Sequence, residues 1–194
     1  MNPDQKQAWA TRQIRAILLL PFTVTIVIPT ALVLLTRGLH IGWGWSFPFS
    51  LLPLVFGVVM IVLGLVLLVK TIALFVGIGQ GTLAPWDATR RLVVVGPYRY
   101  VRNPMITGVF AILLGEAALL GSRPVLVWFG VFVLVNLIYM PLFEEPGLAK
   151  RFGEDYRVYK ANVPRWLPRL TPWEFPSANP GTARQGKCRV NLRE

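Results

Sequence analysis

AILLLPFTVTIVIPTALVLLT, residues 16–36, runs for 21 residues without a charge between Arg15 and Arg37. At about 1.5 Å per residue a helix of that length reaches roughly 31 Å, the thickness of a bilayer's hydrocarbon core. It has neither the shorter apolar region nor the small-residue cleavage site of a signal peptide, so it is expected to be retained as a membrane span. Pro21 and Pro29 are kinks that a membrane helix tolerates. The rest of the chain agrees: 54% of its 194 residues are hydrophobic and only 15% charged, which is not the balance of a water-soluble domain.

Three further spans are expected. One covers residues 50–70, with apolar character continuing to Ile78 and Lys70 able to snorkel to the interface. Another covers 104–122 and contains a single carboxylate, Glu116. The last, 125–143, is charge-free and stops at Glu144 and Glu145. Trp43, Trp45, Phe47 and Phe49, in the connection after the first span, read as an interfacial aromatic belt. A cytoplasmic loop, 79–103, contains the β-branched run Val93, Val94, Val95. Leu148, Phe152, Tyr156, Tyr159 and Val163 recur at spacings of three and four, with charged residues between them, so 144–163 is expected to be an amphipathic helix on the membrane surface. Residues 171–194, rich in Pro, Gly and Arg, have no apolar period and read as a disordered basic tail. The fold class is therefore all-α: an integral membrane bundle of about four transmembrane helices plus a cytoplasmic amphipathic helix, contained in residues 1–170.

Charge orients the bundle. Of the 20 Lys and Arg residues, 17 lie before the first span, in the 79–103 loop or after residue 143. The positive-inside rule then puts both termini in the cytoplasm, and in a bacterial cell the membrane would be the inner or plasma membrane. The net charge of +11 does not imply nucleic acid, because long charge-free segments interrupt the cations; anionic lipid is the better counterpart. One histidine, His40, and one cysteine, Cys188, leave no metal set and no intramolecular disulfide. Oligomeric state is not readable.

The polar residues at the inner end carry the chemistry. Residues 103–122 lead out and 125–144 return over the same length, so Arg102 and Asn103 are expected at the depth of Glu144 and Glu145. Arginine clamps a carboxylate, and a glutamate pair accepts from an ammonium or from vicinal hydroxyls. A ligand carrying all of these groups, such as S-adenosylmethionine, would use both halves. Structural readings compete. Asn103-Pro104 is also a good helix start, Arg99 and Arg102 serve equally as lipid anchors, and Asn136 and the Ala111-x3-Gly115 pair suit helix packing. Glu144 and Glu145 at a helix C-terminus would oppose the dipole, which disfavours a purely structural role for them.

With these residues assembled, the chain resembles the membrane methyltransferase superfamily that contains isoprenylcysteine carboxyl methyltransferases and phospholipid N-methyltransferases. The resemblance rests on Gly96, Pro97, Tyr98, Arg102 and Pro104, on Glu144-Glu145, on Phe152, Gly153, Tyr156 and Tyr159, and on Val163-Pro164 with Pro168. It covers about residues 50–170. It implies S-adenosylmethionine as cofactor, bound near Tyr98, Arg102, Asn103, Pro104, Glu144 and Glu145, with Arg102 and Glu144 closest to the chemistry, and a lipid-like methyl acceptor. The G-P-Y and F-G-x-x-Y-x-x-Y elements are most like the isoprenylcysteine branch. Asn103-Pro104-Met105 is more like the phospholipid branch, and Tyr139 to Phe143 lack the arginine that the carboxyl-methylating branch has shortly before the Glu pair. A lipid amine N-methyltransferase is therefore the close alternative. A nicotinamide-dependent sterol-type reductase and a non-enzymatic membrane scaffold are the alternatives of other classes.

Overall fold

The computed structural model describes residues 18–74, 92–175 and 189–190. The first expected span opens as a π-helix, Leu18–Val27, and continues as α1, Ile28–Thr36. Pro21 lies inside the π-helix and Thr25 Oγ1 donates to the Pro21 carbonyl at 2.7 Å, which fits a wide turn formed where a proline interrupts the α ladder. A short 3₁₀ turn, Ile41–Gly44, precedes α2, Leu51–Leu74; α3 is Pro104–Leu120 and α4 is Arg123–Tyr139. A second π-turn, Met140–Glu144, joins α4 to α5, Glu145–Asn162, without a break. Pro141 and Pro146 bracket that junction, and each removes an N–H from the ladder there. Glu144 and Glu145 thus lie within a continuous helical run rather than at a helix C-terminus, so the dipole objection raised from the sequence does not apply.

Three of these helical runs are long and apolar enough to cross a membrane. α3 is the exception, since its 17 residues reach about 25 Å. Most of the large apolar side chains of α2 are exposed, as lipid-facing residues are. The chain divides into two compact units, residues 17–69 with 105–140, and residues 1–16, 70–104 and 141–194.

In the first unit α2 and α3 run antiparallel and meet on glycines. A Cβ placed on Gly64 would lie 2.6 Å from the Gly108 carbonyl oxygen, and one on Gly57 would lie 2.8 Å from that of Gly115. Both helices therefore present a glycine every seventh residue, and the backbones approach as small residues permit in lipid. Trp128 Nε1 of α4 donates to the Val24 carbonyl at 3.1 Å, and Phe110 stacks edge-on against Phe129 and Phe132. Asn136, expected to bond between helices, instead donates to the Phe132 carbonyl of its own helix at 2.8 Å.

The second unit is built on the Val93, Val94, Val95 run. Leu92–Val93 is strand β1, paired in parallel with β2, Arg189–Val190. Val93 and Val95 face Tyr98 and Leu74, while Val94, on the opposite side, packs with Tyr156, Tyr159, Val163 and Trp173. The apolar stripe of α5 is thus covered by protein, not laid on lipid as the periodicity alone suggested. Trp173 is buried and Phe175 packs beside it, so residues 171–175, assigned from the sequence to the tail, belong to this core. Residues 176–188 and 191–194 lie outside the described residues, as does most of the 79–103 loop.

Candidate functional site

Three stretches of the second unit converge on one carboxylate. A 3₁₀ turn, Gly96–Arg99, follows β1 and is closed by Tyr100 N–H donating to the Pro97 carbonyl at 3.0 Å. It delivers residues 99–103 to a strap formed by residues 163–173. Arg102 N–H donates to Pro164 O at 2.9 Å, Arg169 N–H to Tyr100 O at 3.0 Å, and Trp173 N–H to Arg99 O at 2.9 Å. The Arg99 side chain closes the far end on the Trp173 carbonyl and on Glu174. The Val-Pro element of the sequence thus has a mechanical role: buried Val163 seats the strap and Pro164 takes the Arg102 amide.

Arg102 then reaches Glu145. Its side chain is only 10% exposed and its NH1 lies 3.0 Å from Glu145 Oε1, with the Tyr156 hydroxyl at 3.5 Å as a second acceptor. Arg165 Nε of the strap lies 2.5 Å from Glu145 Oε1, and Lys160 Nζ of α5 lies 2.7 Å from Oε2. Three cations therefore surround one carboxylate that is 5% exposed. Glu145 lies beyond Phe143, where the apolar span ends. Burial pushes its carboxyl up, but hydrogen bonds from Arg165 and Lys160 and the charge of Arg102 outweigh this and hold it below the usual carboxylate range. The Arg102 Nε is buried without a hydrogen-bond partner among the described residues, so a donor remains for a bound acceptor group.

The residues singled out from the sequence divide. Arg102 and Glu145 meet. Glu144, half-buried at the end of the π-turn, takes none of these three ion pairs. Tyr98 is buried against Val93 and Val95 and contributes its carbonyl, which accepts from the Tyr159 hydroxyl at 2.7 Å; its ring is a core residue. Pro104 is fully buried as the first residue of α3, and Asn103 is half-buried just before it. Lys160 and Arg165 were missed. Lys160 follows Tyr156 by four residues, the one available signal, whereas Arg165 reaches Glu145 only because the strap folds back.

Gly153 explains the F-G-x-x-Y-x-x-Y spacing. Its φ of 55° and ψ of −127° interrupt α5 in a region open to glycine alone. Beyond that kink Tyr156 and Tyr159 both turn inward, one toward Arg102 and the other toward the Tyr98 carbonyl.

Comparison with curated proteins gives no match. The phospholipid methyltransferase family profile matches residues 52–155, which takes in α2, α3, α4, Arg102 and Glu145. That is more than half of the chain; the first apolar helical run, Lys160 and Arg165 lie outside it. The chain belongs to the phospholipid methyltransferase family, within the superfamily of integral membrane methyltransferases that act on lipids.

Proposed function

We propose that the chain transfers a methyl group from S-adenosylmethionine to a lipid-like acceptor, with the cofactor's amino-acid end held at Glu145, Arg102, Lys160 and Arg165. The observation that carries this reading is the convergence of three cations on one buried carboxylate. Such a set accepts a ligand bearing both signs: the carboxylate of the cofactor on Arg102 or Lys160, its ammonium on Glu145. The cofactor supplies an activated methyl on a cationic sulfur. The chain's own residues orient it, exclude water and screen charge, and orientation alone supplies roughly 7–11 kcal/mol of barrier lowering.

The decisive experiment is transfer of labelled methyl from S-adenosylmethionine to the lipid fraction of membranes containing the chain, beside the Glu145→Gln and Glu144→Gln variants. Loss of transfer in folded Glu145→Gln supports the reading. Undiminished transfer would remove the cluster from the site, and loss in Glu144→Gln alone would return the role to the residue favoured from the sequence.

Two acceptors compete. The G-P-Y and F-G-x-x-Y-x-x-Y elements support the carboxylate of a prenylated cysteine, whereas the family match and Asn103-Pro104-Met105 support a lipid amine. An amine must lose a proton before attack, so its methylation accelerates from about pH 6 to about pH 9; an ionised carboxylate gives a flat profile over that range.

A further inference from the structure

Two side chains in the second unit are left facing outward, with nothing among the described residues to cover them. Among the described residues after Phe143, Leu167 and Leu170 are the large hydrophobics that stay exposed, at 79% and 100%. They are not on a loose segment. The strap that carries them is pinned before them by Arg102 N–H on Pro164 O and after them by Arg169 N–H on Tyr100 O and Trp173 N–H on Arg99 O. Buried Val163 and Trp173 fix the inward face of the strap, so the leucines are held outward by the residues that flank them.

Their height is set by the chain. Arg102 stands two residues before Pro104, the first residue of the apolar helix α3, so Pro164 is bonded to the chain within two residues of where that helix begins. Leu167 follows three residues later, within about 10 Å of Pro164. Arg169, partly exposed, directly precedes Leu170, so a cation stands beside the two apolar side chains, as suits a headgroup layer.

We propose that the strap is a lipid-contacting element, with Leu167 and Leu170 seated in the headgroup layer of the leaflet next to Arg102 and with Arg169 facing its anionic headgroups. Charge complementarity selects this occupant over a second protein surface, because the leaflet at the positively charged end of a bundle is anionic. The consequence is mechanical. Arg165, on the same strap, holds Glu145, so lipid contact and the geometry of the charged cluster share one backbone segment. The inference does not depend on which reaction the chain performs.

The test uses the full chain in a Cys188→Ser background with single cysteines at Leu167, Leu170 or, as control, Glu154, which is exposed on α5. Each is labelled with bimane and reconstituted in vesicles of equimolar phosphatidylcholine and phosphatidylglycerol. Quenching by a nitroxide placed high on the lipid acyl chain is expected to be at least about threefold stronger at 167 and 170 than at 154, and quenching by aqueous iodide weaker. Iodide quenching at 167 and 170 equal to that at 154 would overturn the proposal. So would shielding from both quenchers with cross-linking between copies, which would make the strap a protein interface. Should a cysteine variant fail to fold, the unsubstituted chain gives the same reading with a photoactivated diazirine lipid in the same vesicles. Tags mapped to residues 165–170 are expected, and tags confined to the apolar helices would overturn it.

Discussion

Glu145 is the residue on which the second unit turns, because it neutralises a guanidinium that is itself nearly buried. Replacing it with Gln leaves Arg102 without its counter-charge, a loss of about 3–5 kcal/mol for a buried pair broken from one side. Lys160 adds little to this, since its ammonium is half-exposed and screened. The folded carboxyl titrates below its ordinary value of 4.5, so the unfolded chain takes up the proton first as pH falls. Its stabilisation is full above that value and lost as pH drops through the lower folded value. Thermal unfolding in detergent from about pH 7 to about pH 3 should show an acid-side loss that is much reduced in Glu145→Gln. An identical acid slope in both proteins would sink the assignment. The meeting of Arg102 and Glu145 was legible in the sequence, since two apolar segments of equal length return the chain to one depth. The choice of Glu145 over Glu144 was not, because it depends on the rotation of the helix through a π-turn that no spacing rule anticipates.

The elements owe their placement to glycines that the sequence reading largely passed over. Gly115 was noted as part of a small-residue pair with Ala111, but its partner across the interface is Gly57, and Gly64 meets Gly108 in the same way. Periodicity along one helix shows that a face is small; it does not show which other helix will use it. Gly64→Leu should separate α2 from α3, because even a Cβ there lies 2.6 Å from a backbone oxygen that cannot move aside. A lowered unfolding temperature in detergent and a loss of methyl transfer are expected together; an unchanged unfolding temperature would mean that the crossing is looser than drawn. Gly153→Ala acts differently. Its left-handed backbone costs a non-glycine residue about 1–3 kcal/mol, and relief by straightening α5 would carry Tyr156 and Tyr159 away from Arg102 and the Tyr98 carbonyl. That variant should remain folded yet lose most of its activity, and retention of wild-type turnover would show that the kink does not place the tyrosines.

For the molecule as a whole, the apolar segments and the distribution of cations answer different questions. The lengths of the apolar runs established a helical membrane protein, and the structure agrees for three long helices while leaving α3 at 17 residues. Direction across the membrane rests on charge alone: 17 of 20 cations lie on one side of the expected bundle, with Arg37 and Arg123 in the opposite loops. Each misplaced loop would have to carry its cations against the insertion bias, so the orientation with both termini inside is expected to be uniform. The chain supplies its own probe, because Cys188 is the only cysteine and lies at the end predicted to face the cytoplasm. A membrane-impermeant maleimide should leave Cys188 unlabelled in intact cells and label it once the membrane is opened. Arg37→Cys in a Cys188→Ser background should behave in the opposite way. Labelling of Cys188 in intact cells would reverse the orientation and place the Arg102–Glu145 cluster on the side away from cytoplasmic S-adenosylmethionine, which would remove the proposed methyl donor along with the topology.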